Sequence, residues 1–118
     1  MTDPQSIFAR IDTGDADAFA ELFARDATMT FGNSEPMKGR NAIATGSAAF
    51  LTSIAGLRHR IVNQWVVGED TIAEAGVTYT RHDGREVTLP TVSIWRSAAD
   101  GSITNYRVFL DLTPVFAS

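Results

Sequence analysis

The stretch that decides the fold is Leu89-Pro90-Thr91-Val92-Ser93-Ile94-Trp95-Arg96, a break at Asp100-Gly101, then Ile103-Thr104-Asn105-Tyr106-Arg107-Val108-Phe109-Leu110-Asp111. Both halves are rich in β-branched and aromatic residues, and an Asp-Gly pair separates them, which is the signature of a hairpin. The same reading extends backwards. Arg58 to Val67 is a strand, Gly68-Glu69-Asp70 a turn, Thr71 to Arg81 the next strand, and His82-Asp83-Gly84 a turn before Glu86 to Arg96. The last strand runs from Ile103 to Leu112. Everything beyond Gly56 therefore reads as an antiparallel meander.

The first half follows a helical period. Asp3 before Pro4 supplies a cap acceptor and a first-turn residue whose missing N–H costs nothing there, and Ile7, Phe8 and Ile11 form one stripe. Gly14 ends that helix, and Asp15 caps a second with Phe19, Leu22 and Phe23 on its inner face. Thr28-Met29-Thr30-Phe31 alternates as a short strand with Met29 and Phe31 on one side, and Gly32 to Gly39 reads as a loop. Arg40 to Ile54, carrying Ile43, Phe50, Leu51 and Ile54, is a third helix closed by Gly56. Helices first and strands afterwards predict one α+β domain, residues 1–118, with the helices on one face of the sheet.

A chain of 118 residues supports a single core, and 44% hydrophobic with 20% charged residues is ordinary globular composition. The net charge of −4 and scattered basic residues argue against a nucleic-acid partner. The absence of cysteine excludes disulfides and thiolate metal sites and fits a cytoplasmic location. Met1-Thr2-Asp3-Pro4-Gln5 lacks the pattern of a signal peptide, and no apolar run is long enough to span a membrane. Two histidines, His59 and His82, without ligand spacing to carboxylates give no metal site, and no glycine-rich phosphate cradle is present, so no cofactor is expected.

Gly14-Asp15 with Phe19 and Phe23, Gly39-Arg40 opening a helix, His59-Arg60, Asp83-Gly84-Arg85, Leu89-Pro90 and the terminal Asp111 together resemble the SnoaL-like branch of the nuclear transport factor 2-like superfamily. The resemblance covers nearly the whole chain. It implies a cone-shaped barrel: a curved, mostly antiparallel sheet with the N-terminal helices in its concave face and one pocket inside.

It also implies which chemistries the pocket lacks. The Tyr and Asn that activate water in limonene epoxide hydrolase-like relatives fall on Met29 and Phe31, and their last-strand Asp falls on Val108. The Arg and Asp serving the epoxide oxygen fall on Gly76 and Thr78. The carboxylate base of steroid isomerase-like relatives coincides with Phe31, which accepts no proton. The Asp of polyketide cyclase-like relatives is Ser93, which needs a neighbouring base to act.

His59 is then the candidate acid or base, because histidine alone titrates near neutral pH, and Asp111 the candidate to orient it. The competing roles are a histidine bonded to a neighbouring strand and a structural ion pair of Asp111, for instance with Arg107. The expected pocket lining is Met29, Phe31, His59, Thr78, Leu89, Ser93, Tyr106 and Val108, the mix of apolar body and a few polar groups that small-ligand sites carry. With Thr78 facing inward, Tyr79 and Arg81 face out towards a subunit interface. The sequence thus suggests a homodimer whose cone binds a small apolar or aromatic molecule. Two alternatives remain: an isomerase, cyclase or hydrolase using His59 and Asp111, and an interaction module working through its outer sheet face.

Overall fold

The computed structural model describes residues 3–117. Its elements are α1 (Pro4–Asp12), α2 (Ala16–Ala20), β1 (Phe23–Phe31), β2 (Met37–Lys38), α3 (Arg40–Thr52), β3 (Gly56–Val67), β4 (Asp70–Thr80), β5 (Glu86–Ser97), β6 (Ile103–Phe109) and α4 (Thr113–Phe116). The capping chemistry sets the helices. Asp3 accepts from the Ser6 amide at 2.9 Å and Asp15 from the Ala18 amide at 3.0 Å, each satisfying a free N–H of the first turn. Gly39 opens α3 at φ 95°, a left-handed conformation that favours glycine, and its N–H donates to Ala27 at 2.7 Å. Arg40 then ties the helix to the sheet, donating from Nε and Nη2 to the Phe23 carbonyl at 3.0 and 2.8 Å.

The six strands form one sheet in the order β2-β1-β6-β5-β4-β3. All pairings are antiparallel except β1 with β6. The sheet curves round the helices without closing into a barrel, and β2 and β3 are its free edges. Its concave face is the core: Ile7 and Phe8 of α1, Phe19 of α2 and Ile43 of α3 are buried with Ala73, Ala75, Val77, Tyr79, Trp95 and Tyr106. A bulge between Ile61 and Asn63 reverses the phase of β3, so Ile61 lies opposite Ala75 on the inner face and Asn63 opposite Glu74 on the outer. Such a bulge bends the strand, which helps an open sheet wrap.

Several boundaries differ from the sequence reading, most by one or two residues and four with structural consequence. α2 stops at Ala20, and Phe23 begins a nine-residue β1. The Gly32–Gly39 segment contains the two-residue β2, which pairs Met29 with Met37. β3 starts at Gly56, which therefore opens a strand as well as following a helix. β6 ends at Phe109, and Thr113–Phe116 is a helical turn that burial of Val115 anchors. Among the described residues no helix is long and apolar enough to cross a membrane, and no cluster of His, Cys, Asp and Glu is arranged to hold a metal.

Candidate functional site

A cavity of about 70 Å³ lies between the helices and the concave sheet face. Its wall is apolar and aromatic: Phe19, Met29, Phe31, Met37, Phe50, Tyr79, Tyr106 and Val108 surround it, with His59, Ser47, Thr91 and Ser93 as the polar groups. Phe31 and Phe50 meet edge to face at 4.8 Å, and Phe50 meets Tyr79 at 6.0 Å, so the rings form a continuous lining.

His59 is the best-organised polar group there. It stands on the inner phase of β3, opposite Val77. Its Nδ1 lies 2.6 Å from Oδ1 of Asp12, and its backbone N–H donates to Oδ2 of the same carboxylate at 2.8 Å. The side chains are only 11% and 23% exposed. A carboxylate only accepts, so Nδ1 carries a proton, and Nε2 is the ring nitrogen available to anything in the cavity. Phe8 stacks flat on the imidazole at 4.2 Å and 8°, and it meets Trp95 edge-on at 6.2 Å. Trp95 in turn stacks on Tyr106 at 5.4 Å. Ring position and tautomer of His59 are thus fixed from two sides, the arrangement of a histidine oriented for proton transfer.

The two phenols are the other titratable groups in the wall. Burial holds the Tyr79 hydroxyl well above its ordinary range, and the charges of Asp12 and Tyr106 push the same way. Burial also raises Tyr106, against a smaller lowering by its hydrogen bond with Ser93. Both stay protonated and able to donate.

The sequence-predicted residues divide clearly. Met29, Phe31, His59, Ser93, Tyr106 and Val108 border the cavity. Leu89 is buried on the same face, paired with Val77, but lies in the core rather than at the cavity. Thr78 does not face inward: Val77 and Tyr79 are the buried residues of that part of β4, and Thr78 Oγ1 bonds Thr88 Oγ1 at 2.8 Å on the outer face. Tyr79 is therefore a cavity residue and not an interface one. Asp111 does not meet His59. It follows β6 at the entry to α4, exposed, with Oδ1 accepting the Thr113 amide at 3.0 Å. That contact, with the Thr113 side chain, holds its carboxyl below the usual range.

Asp12 takes the role expected of Asp111, and sequence reasoning missed it. One signal was present: Asp12 is the last residue of α1, where the helix dipole disfavours a negative charge. An acid in that place calls for a partner elsewhere.

Residues 5–106 match the SnoaL-like domain family, and the chain belongs to it. No curated protein matches the sequence. Among solved structures, a hypothetical protein of ketosteroid isomerase-like fold from Catenulispora acidiphila, in complex with trimethylamine, is 21% identical with a TM-score of 0.87, covering 98% of this chain and 92% of its own. A nuclear transport factor 2-like protein from Burkholderia pseudomallei is 17% identical with a TM-score of 0.86, covering 97% and 94%. The epoxide hydrolase/cyclase-like enzyme SalBIII of pyran ring formation in salinomycin is 20% identical with a TM-score of 0.80, covering 92% and 88%. These likenesses show the cone fold of the superfamily.

Proposed function

We propose that this protein binds a small, largely apolar organic molecule inside the cone and that the Asp12–His59 couple moves a proton on it. The observation that carries the reading is the 2.6 Å contact between Nδ1 of His59 and Asp12, made by a nearly buried imidazole that borders the cavity. A carboxylate that holds both the ring and the backbone N–H sets the tautomer, and it would stabilise the imidazolium formed when the ring takes a proton from a bound molecule. The Tyr79 hydroxyl, and whichever O–H of the bonded Ser93–Tyr106 pair is left over, supply donors for charge developing on the substrate.

The size of the cavity bounds the ligand. A cavity of about 150 Å³ accommodates benzene, so about 70 Å³ suits a smaller molecule unless Met37 or Phe50 moves. Trimethylamine, present with the Catenulispora protein, is a molecule of that order. The apolar wall favours a second reading, a carrier with no chemistry, in which His59 only fixes ligand orientation.

One experiment separates the two. Small organic fragments are titrated against protein labelled at the methionine ε-methyls, since Met29 and Met37 both border the cavity. Each binder is then followed for proton exchange or rearrangement. The expected result is turnover that His59→Gln abolishes while binding persists. Binders that never react in the native protein would leave the carrier reading standing.

We further propose that the protein is a homodimer. Trp65, Val67 and Phe109 stand 48%, 63% and 51% exposed. Trp65 and Val67 share the outer phase of β3, one of the two edge strands, and Phe109 lies on the same outer face opposite Val92. A second copy related by a two-fold axis is the commonest cover for such a surface.

A further inference from the structure

Ser47 is a polar residue of the cavity wall whose buried hydroxyl lacks a protein partner. It lies on α3, is 7% exposed, borders the cavity, and makes no hydrogen bond from its Oγ. Elsewhere in the wall His59 Nδ1 pairs with Asp12, Thr91 Oγ1 with the Leu89 carbonyl at 3.4 Å, and Ser93 with Tyr106. A serine inside a helix ordinarily bonds the carbonyl one turn back. Ser47 does not bond Ile43 in this way. A buried donor without an acceptor is a standing cost, and native structures keep few of them without a purpose.

We propose that Ser47 is the anchor for an oxygen of the ligand, and that the ligand is a small uncharged carbonyl compound whose oxygen accepts from Ser47 Oγ. Three features select that chemistry. The cavity wall contains no Lys or Arg, so a carboxylate or phosphate would be buried without a permanent counter-charge. A carbonyl oxygen carries no proton of its own and so matches a donor that lacks an acceptor. The remaining wall is apolar and about 70 Å³ in extent, which fits a molecule with one polar atom on a short hydrocarbon body. The identification of the ligand class deepens the proton-transfer reading, since C–H bonds beside a carbonyl are acidic enough for an imidazole base, but the Ser47 contact itself does not depend on that reading.

The test compares acetone with isobutene, which differ only in C=O against C=CH₂. Both are titrated against the native protein and Ser47→Ala, with the ε-methyl resonances of Met29 and Met37 as the readout. The ketone is expected to bind the native protein more tightly than the alkene, and Ser47→Ala to weaken the ketone between about 2- and 10-fold while leaving the alkene unchanged or improved. A melting temperature of Ser47→Ala at or above that of the native protein is also expected, because the substitution removes the unpartnered group. A ketone-to-alkene ratio unaltered by Ser47→Ala overturns the proposal. The same titrations in His59→Gln separate this from the proton-transfer reading. The ketone preference survives there if Ser47 is the anchor, whether or not the native protein turns a ketone over. Loss of the preference in His59→Gln with retention in Ser47→Ala would assign the anchor to His59 and overturn the inference.

Discussion

Removing the carboxylate of Asp12 is the sharpest single perturbation of the site. In Asp12→Ala, the His59 backbone N–H and its Nδ1–H lose their acceptors at 2.8 and 2.6 Å together. Each donor stranded in a buried position costs about 1–3 kcal/mol. The two side chains are 11% and 23% exposed, so water recovers part of this, and the combined loss is about 2–4 kcal/mol. For a domain of this size each kcal/mol lowers the melting temperature by roughly 4 °C, giving a drop of roughly 8–16 °C. Asp12→Asn separates stability from chemistry. Its one carbonyl oxygen can take the place of Oδ2 and accept from the His59 amide, so the cost is about 1 kcal/mol. Its amide nitrogen can only donate, which drives the proton of the imidazole to Nε2 and removes the base from the cavity. In the Ser-His-Asp triad of serine proteases that tautomer change lowers kcat by about 10⁴. Calorimetry measures the first effect, and long-range ¹H–¹⁵N correlation of the imidazole nitrogens measures the second. Asp12→Ala melting within about 2 °C of the native protein, or a native His59 already protonated only on Nε2, would refute the reasoning.

Three further outcomes follow from the same geometry. Tyr79 and Tyr106 are the only tyrosines and both are raised by burial, so their stabilising contribution is complete below the ordinary phenol value near 10 and is lost as pH rises through their higher folded values; absorbance at 295 nm should show no tyrosinate until near-ultraviolet dichroism reports unfolding, and separate titration in the folded state would contradict this. A Cβ at Gly46 would run into the Met37 sulfur, so Gly46→Ala should gain less than the about 1 kcal/mol of helix propensity on offer and shift the Met37 ε-methyl resonance, and an unmoved resonance would show that Met37 does not pack against that position. Light scattering should give twice the 12.8 kDa chain mass at micromolar concentration, with Trp65→Glu returning a monomer; a native monomer ends the dimer proposal.

The sequence by itself determined the features whose causes are local. Asp3-Pro4 and Asp15 placed two helix starts because the cap needs only residues within the first turn, and the helix from Arg40 and the strands around Asp100-Gly101 were equally legible. On β1, β5 and β6 the expected inward residues Met29, Phe31, Ser93, Tyr106 and Val108 stand at the cavity. Tertiary structure decided what local rules leave degenerate. On β4 both alternation phases carry small and β-branched residues, so the pattern could not say whether Thr78 or Tyr79 turns inward; packing of the helices on Ala73, Ala75 and Val77 chose Tyr79. Asp111 has a local partner in the Thr113 amide two residues on, whereas the partner of Asp12 lies on a distant strand. The choice between them rested on where the end of α1 meets β3, across 47 residues of chain. Two-residue periodicity and capping act over one or two turns of backbone, whereas a proton-transfer couple is made by surfaces that only packing brings into contact.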